Sequence, residues 1–84
     1  MTDQSFDQLC ELFGYEPKRR PLDRKEAAEL LGVSKDTLDG YAYRGEGPRY
    51  FMPKGTRRAW YAERDLLAWL ASGARQSTSE QVAA

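Results

Sequence analysis

The chain has 84 residues, with 13 lysines and arginines, 13 aspartates and glutamates, no histidine and a single cysteine, Cys10. A chain this short makes one domain that buries only about 60% of its unfolded surface, which leaves little core for an enclosed active-site cavity. One cysteine excludes an internal disulfide, and without histidine there is neither the ordinary zinc ligand nor the usual catalytic base. No apolar run approaches the roughly 20 residues of a membrane span and no secretory pattern opens the chain, so the expectation is a soluble intracellular protein with no membrane partner.

The neutral total hides a segregation of charge. Residues 1–16 carry Asp3, Asp7, Glu11 and Glu16 with no base, a net of −4, and residues 76–84 add Glu80. Residues 17–75 carry 13 basic and 8 acidic residues, a net of +5. The pattern is that of a basic domain behind an acidic leader, and it is the distribution that bears on a polyanionic partner.

Taken in order, residues 5–13 place Phe6, Leu9, Cys10 and Phe13 at i, i+3, i+4 and i+7, with Ser5 as a cap and Gly14 as a stop. This predicts a short amphipathic helix, with Cys10 on the apolar face as a packed, inert thiol. Tyr15 to Pro21 breaks regular structure at Pro17 and Pro21. Between them lie Lys18, Arg19 and Arg20, a basic connector suited to phosphate contacts because ion pairing there releases condensed counterions. Leu22 precedes Asp23, which with Glu26 has the spacing of a capping box and opens a helix to Leu31. In that helix Ala27, Ala28 and Leu31 form a stripe that admits close packing, Leu30 adds cover, and Arg24 and Lys25 are further candidates for phosphate. Gly32-Val33-Ser34 is a three-residue turn with Val33 as its plug. Ser34 then caps a helix that closes at Gly45.

Advancing about 100° per residue along that helix puts Leu38, Tyr41 and Ala42 on one side and Asp36, Asp39, Gly40 and Tyr43 on the other. Two short helices joined by a glycine-containing turn are the signature of a helix-turn-helix, whose second helix enters the major groove of DNA. Beyond Glu46-Gly47-Pro48, the runs Arg49–Pro53 and Arg57–Tyr61 flank Lys54-Gly55-Thr56 and predict a β-hairpin with glycine in its turn. Phe51 and Trp60 are the first candidates for its helix-facing side, followed by Tyr50 and Tyr61. Lys54, Thr56, Arg57 and Arg58 crowd its tip with no acid among them, as in a wing that follows the DNA backbone or enters a minor groove. A last helix opens at Ala62-Glu63-Arg64-Asp65, its acids near the positive end of the dipole. It presents Leu66, Trp69 and Leu70 on one face, with Trp69 as a core anchor. Small and polar residues from Ala74 onward predict a disordered tail.

The run from Leu22 to Ser34, then Thr37-Leu38, Arg44-Gly45-Glu46-Gly47-Pro48-Arg49-Tyr50, Tyr61, Asp65-Leu66 and Trp69-Leu70 resembles the small excisionase-type winged helix-turn-helix proteins, recombination directionality factors related to the DNA-binding part of the MerR regulators. The resemblance covers residues 22–71. It implies a mainly α fold with a small β-hairpin: helix-turn-helix, two-stranded wing and C-terminal helix, here preceded by a short N-terminal helix and the basic connector at residues 1–21. It also implies that Asp36 reads a base, for which cytosine N4 is the natural donor. Thr37, Gly40 and Tyr43 fall at further contacting places, and Lys54, Arg57 and Arg58 on the wing. Ser34, Lys35, Asp39 and Arg44 complete the recognition-helix set, and Arg49 and Thr56 the wing set. Members often carry bases where this chain has Asp39, Gly40 and Tyr43, so binding should lean on the wing and on residues 18–20. Gly40 costs about 1 kcal/mol against alanine within a helix, which suggests close approach of its backbone to DNA.

The resemblance implies a DNA-binding architectural protein, bacterial or phage-encoded and associated with the nucleoid in the cytoplasm. Its partners would be double-stranded DNA, neighbouring copies of itself and a site-specific recombinase, with no cofactor, metal or small-molecule ligand. A small transcriptional regulator of a mobile element is the alternative within the same class. A protein-binding adaptor using the Phe6–Phe13 stripe is the alternative outside it. An enzyme is not expected, because no nucleophile has a base partner.

Overall fold

A computed structural model describes residues 5–75. Six elements follow one another: α1 (Phe6–Phe13), β1 (Leu22–Asp23), α2 (Arg24–Leu31), α3 (Lys35–Arg44), β2 (Trp60–Tyr61) and α4 (Glu63–Ala71). The fold is mainly helical with a two-stranded antiparallel sheet, in keeping with a small winged helix-turn-helix domain. Of the tail expected from Ala74, residues 76–84 with Glu80 lie outside the described residues, as does Asp3 of the leader.

Helix boundaries follow local chemistry. The Ser5 hydroxyl accepts from the Gln8 backbone N–H while the Gln8 amide oxygen accepts from Ser5 N–H, a reciprocal cap on α1. Asp23 and Glu26 do the same for α2, at 2.8 and 3.1 Å. Ser34 caps α3 by accepting from Thr37 N–H at 3.0 Å. Gly14, Gly32 and Gly45 close these helices in the left-handed region, where glycine carries no steric penalty. The core gathers Leu22, Ala27, Ala28, Leu38, Ala59, Tyr61 and Leu66, with Leu30, Leu31, Val33 and Tyr41 packed around it. Helix α3 leans on α2, and both α2 and α1 lean on α4. Leu9 of α1 and Leu67 of α4 are both buried.

The sheet differs from the expected one in its partners. β2 pairs with β1, Leu22 opposite Tyr61 and Asp23 opposite Trp60. The two arms of the wing meet at a single bridge, Phe51 to Trp60, through reciprocal backbone hydrogen bonds of 2.7 Å. Short arms suffice because β1 holds the second arm from its other edge. The inward residue is Tyr61, 1% exposed, and not Phe51 or Trp60. Those two face a separate apolar concavity of about 600 Å3, shared with Phe6, Pro21 and Pro53. Strand residues alternate faces, so seating Tyr61 in the core turns its neighbour Trp60 outward.

Helix α4 also departs from expectation. Leu66 and Leu67 are fully buried, whereas Trp69 is only half-buried, its ring 5.6 Å from that of Tyr41. With α1 on one side and α2 on the other, α4 buries a wider arc than one face supplies.

Candidate nucleic-acid interface

Leu38 is 1% exposed and pins α3 to the core, which leaves the opposite side of the helix outside. Ser34, Lys35, Asp36 and Thr37 are exposed at its start, and Tyr43 is 93% exposed near its end. The Ser34 hydroxyl donates to the Thr37 hydroxyl at 2.9 Å, so both belong to the cap. Asp36 makes no side-chain hydrogen bond or ion pair among the described residues. Arg44 folds back over the Tyr41 ring and pairs with Glu46 at 2.9 Å. Gly40 gives it room: a Cβ there would lie 3.2 Å from the Arg44 guanidinium.

The wing turns at Pro53-Lys54-Gly55-Thr56. Thr56 N–H and its hydroxyl both donate to the Pro53 carbonyl, at 3.1 and 2.9 Å, and Gly55 supplies the positive φ such a turn demands. Thr56 therefore shapes the tip, while Lys54 and Arg57 make no ion pair among the described residues. Arg58 stacks over Trp60 and reaches Asp23 at 3.3 Å, and Arg49 stacks over Phe51 and pairs with Asp65 at 3.1 Å.

The start of α2, the first turns of α3 and the second arm of the wing enclose one concavity of about 250 Å3. Lys25, Lys35, Asp39, Arg57 and Arg58 all line it. The cationic arm of the wing and the first half of α3 thus share a surface. Arg24 is the tie behind it, bonding Asp39 at 2.9 Å and the Tyr61 hydroxyl at 3.2 Å, with its guanidinium over the Tyr50 ring at 5.2 Å. Hydrogen bonding to Arg24, aided by Lys35, holds the Asp39 carboxyl below the usual aspartate range.

A family model described as a helix-turn-helix domain matches residues 22–74. The chain belongs to the helix-turn-helix domain family. That family includes excisionase-like DNA-binding domains. No curated protein and no solved structure matches the chain. The matched segment runs from β1 through α4, so it contains both the turn between α2 and α3 and the wing.

Outside α3 and the wing, this helix-turn-helix domain treats its candidate cations unequally. Lys18, Arg19 and Lys25 make no ion pair among the described residues, whereas Arg20 is held by Glu26 in a two-point contact, 3.0 Å for one arm. The Arg20 contact and the Asp23 N–H hold the Glu26 carboxyl down to about 2. Sequence reasoning missed what organises this connector. Glu63, 6% exposed, accepts from the Tyr15 hydroxyl, from Lys18 N–H at 2.8 Å and from Arg19 N–H at 2.9 Å. Burial pushes its carboxyl up, but these three donors outweigh burial and hold it below the usual range. Arg19 adopts φ 57, which a non-glycine residue keeps only where its surroundings enforce it. Acids spaced for the helix dipole were the only local signal, and they do not reveal a clamp on a distant loop. Cys10 is partly exposed, and its thiol is pushed up chiefly by desolvation.

Proposed function

We propose that this domain reads duplex DNA with α3 in the major groove and the wing on the flanking backbone, and that it acts as an excision factor. Several copies would occupy adjacent sites, bend the duplex and turn a site-specific recombinase toward excision. The observation that supports the DNA-binding mode is the single concavity in which Lys35 and Asp39 of α3 stand with Arg57 and Arg58 of the wing. The exposed Asp36 and Tyr43 stand on the same helix, and Lys54 and Arg57, which make no ion pair among the described residues, stand on the wing.

The roles divide by chemistry. Asp36 can accept from cytosine N4, while Lys54, Arg57, Lys25, Lys18 and Arg19 can meet phosphates without reading sequence. A reader this small makes few base contacts, so useful affinity requires cooperation between neighbouring copies. Arg57→Ala with Lys54→Ala should weaken binding to all sequences and flatten the salt dependence by about 0.9 log unit for each phosphate no longer neutralised. An unchanged slope would place the wing off the backbone. Footprints on a long fragment should extend stepwise with added protein, and one isolated protected half-site that never grows argues against adjacent copies. Excision and promoter output, measured with and without the protein, separate an excision factor from a transcriptional regulator.

A further inference from the structure

Asp39 stands at the wall of the interfacial concavity, and its two carboxylate oxygens go to different cations. Oδ1 accepts from Arg24 at 2.9 Å and Oδ2 from Lys35 at 3.3 Å. With Lys25, Arg57 and Arg58, these make five cations in the concavity against two carboxylates, Asp39 and Asp23. Asp23 has a structural reason to be acidic, because its other oxygen caps α2. Asp39 has none of that kind. It lies in the second turn of α3, beyond the first-turn amides that a carboxylate can cap, and among the described residues its side chain bonds only these two cations. A negative charge here works against a polyanion.

We infer that Asp39 is an electrostatic brake on sequence-independent DNA binding: it holds Lys35 on the protein, where the ammonium would otherwise reach a phosphate. The inference rests on the DNA-binding reading above. Arg24 is not released by losing Asp39, since the Tyr61 hydroxyl and the Tyr50 ring still hold it. Lys35 has no other partner among the described residues, and its side chain is 59% exposed. The brake therefore governs one phosphate contact. Such a contact strengthens binding to every sequence alike, so forgoing it leaves base reading intact while reducing capture by random DNA.

The test measures binding of the full chain to a random-sequence duplex across a range of salt. Asp39→Asn, which keeps the side chain's shape, should steepen the slope by about 0.9 and raise affinity roughly fivefold near 0.15 M salt. Lys35→Met added to Asp39→Asn should bring the slope back to the wild-type value. The inference is overturned if Asp39→Asn leaves the slope where it was. It is equally overturned if the double variant keeps the steeper slope, for the added contact would then not be made by Lys35; Asp39→Ser, read in the same way, stands in if the asparagine variant folds poorly. A wild-type chain that binds no duplex at low salt fails at an earlier point, the DNA-binding reading itself.

Discussion

Two glycines, one within α3 and one just beyond it, do opposite work. At Gly47 an added Cβ would fall 2.7 Å from the Cβ of Tyr41, whose ring packs beside Trp69 on α4. Gly47→Ala must therefore push α3 or the following loop outward, with a cost of about 1–3 kcal/mol, as overpacking usually brings. At Gly40 the Cβ would meet only the far end of the Arg44 side chain, which can swing aside. Gly40→Ala should then stabilise the fold by up to about 1 kcal/mol through helix propensity. Urea titrations of the two variants should move their midpoints in opposite directions. If the bare Gly40 backbone approaches DNA, its alanine variant will bind less tightly while being more stable, a split that a loss of folding cannot produce. Asp36 belongs to this scale as well. Asp36→Ala should relax discrimination at one base pair by about 1–3 kcal/mol, and equal losses on target and random duplexes would remove it from base reading.

Between elements, the buried carboxylate of Glu63 fastens residues 15–19 to the start of α4. Glu63→Gln leaves one acceptor oxygen for the Tyr15 hydroxyl and two backbone amides, so a part-buried donor loses its partner. The expected cost is about 1–3 kcal/mol at neutral pH. The pH dependence follows in sign. Glu63 and Glu26 are both held below their ordinary value of 4.5 in the fold. Their contributions are present above that value and are lost as pH falls through the folded values, about 2 for Glu26. Urea stability of the wild type should decline from about pH 5 downward, and Glu63→Gln should decline less steeply. Parallel acid limbs in the two proteins would mean that Glu63 is not an acid-labile tie. Such elements also mark what could be read without coordinates. Ser5, Asp23 and Ser34, with Gly14, Gly32 and Gly45, announced three helices because capping is settled within four residues. β1 was invisible, since two residues have no period and their partner lies far along the chain. That unseen pairing decides which face of β2 is inward, and a shift of one residue exchanges the faces, which is why Tyr61, ranked after Trp60 on sequence, is the inward residue. The exposed face of α3 was legible from helical periodicity around Leu38. Which of its charges are already occupied depends on Arg24, from another helix, and no local pattern carries that.

Over the whole molecule, charge is arranged by layer. Helix α1, with Asp7 and Glu11 and followed by Glu16, leans on α4, while α3 leans on α2. A helix with its side chains is about 10–12 Å across, so interposing α4 sets the acids of α1 at least that far from a duplex seated on α3. At about 0.15 M ionic strength the Debye length is about 8 Å, and it grows to about 30 Å near 0.01 M. Repulsion between α1 and DNA should therefore be screened in ordinary buffer and felt in dilute buffer. Replacing Asp7 and Glu11 by their amides should raise the association rate with duplex several-fold near 0.01 M salt, by the steering argument. The same variant near 0.15 M should bind within about twofold of wild type, given that screening. Stopped-flow association at the two salt concentrations checks this directly. A gain that persists in the concentrated buffer would bring α1 within a few ångströms of the duplex, and would require a seated geometry in which the N-terminal helix, as well as α3 and the wing, borders the DNA.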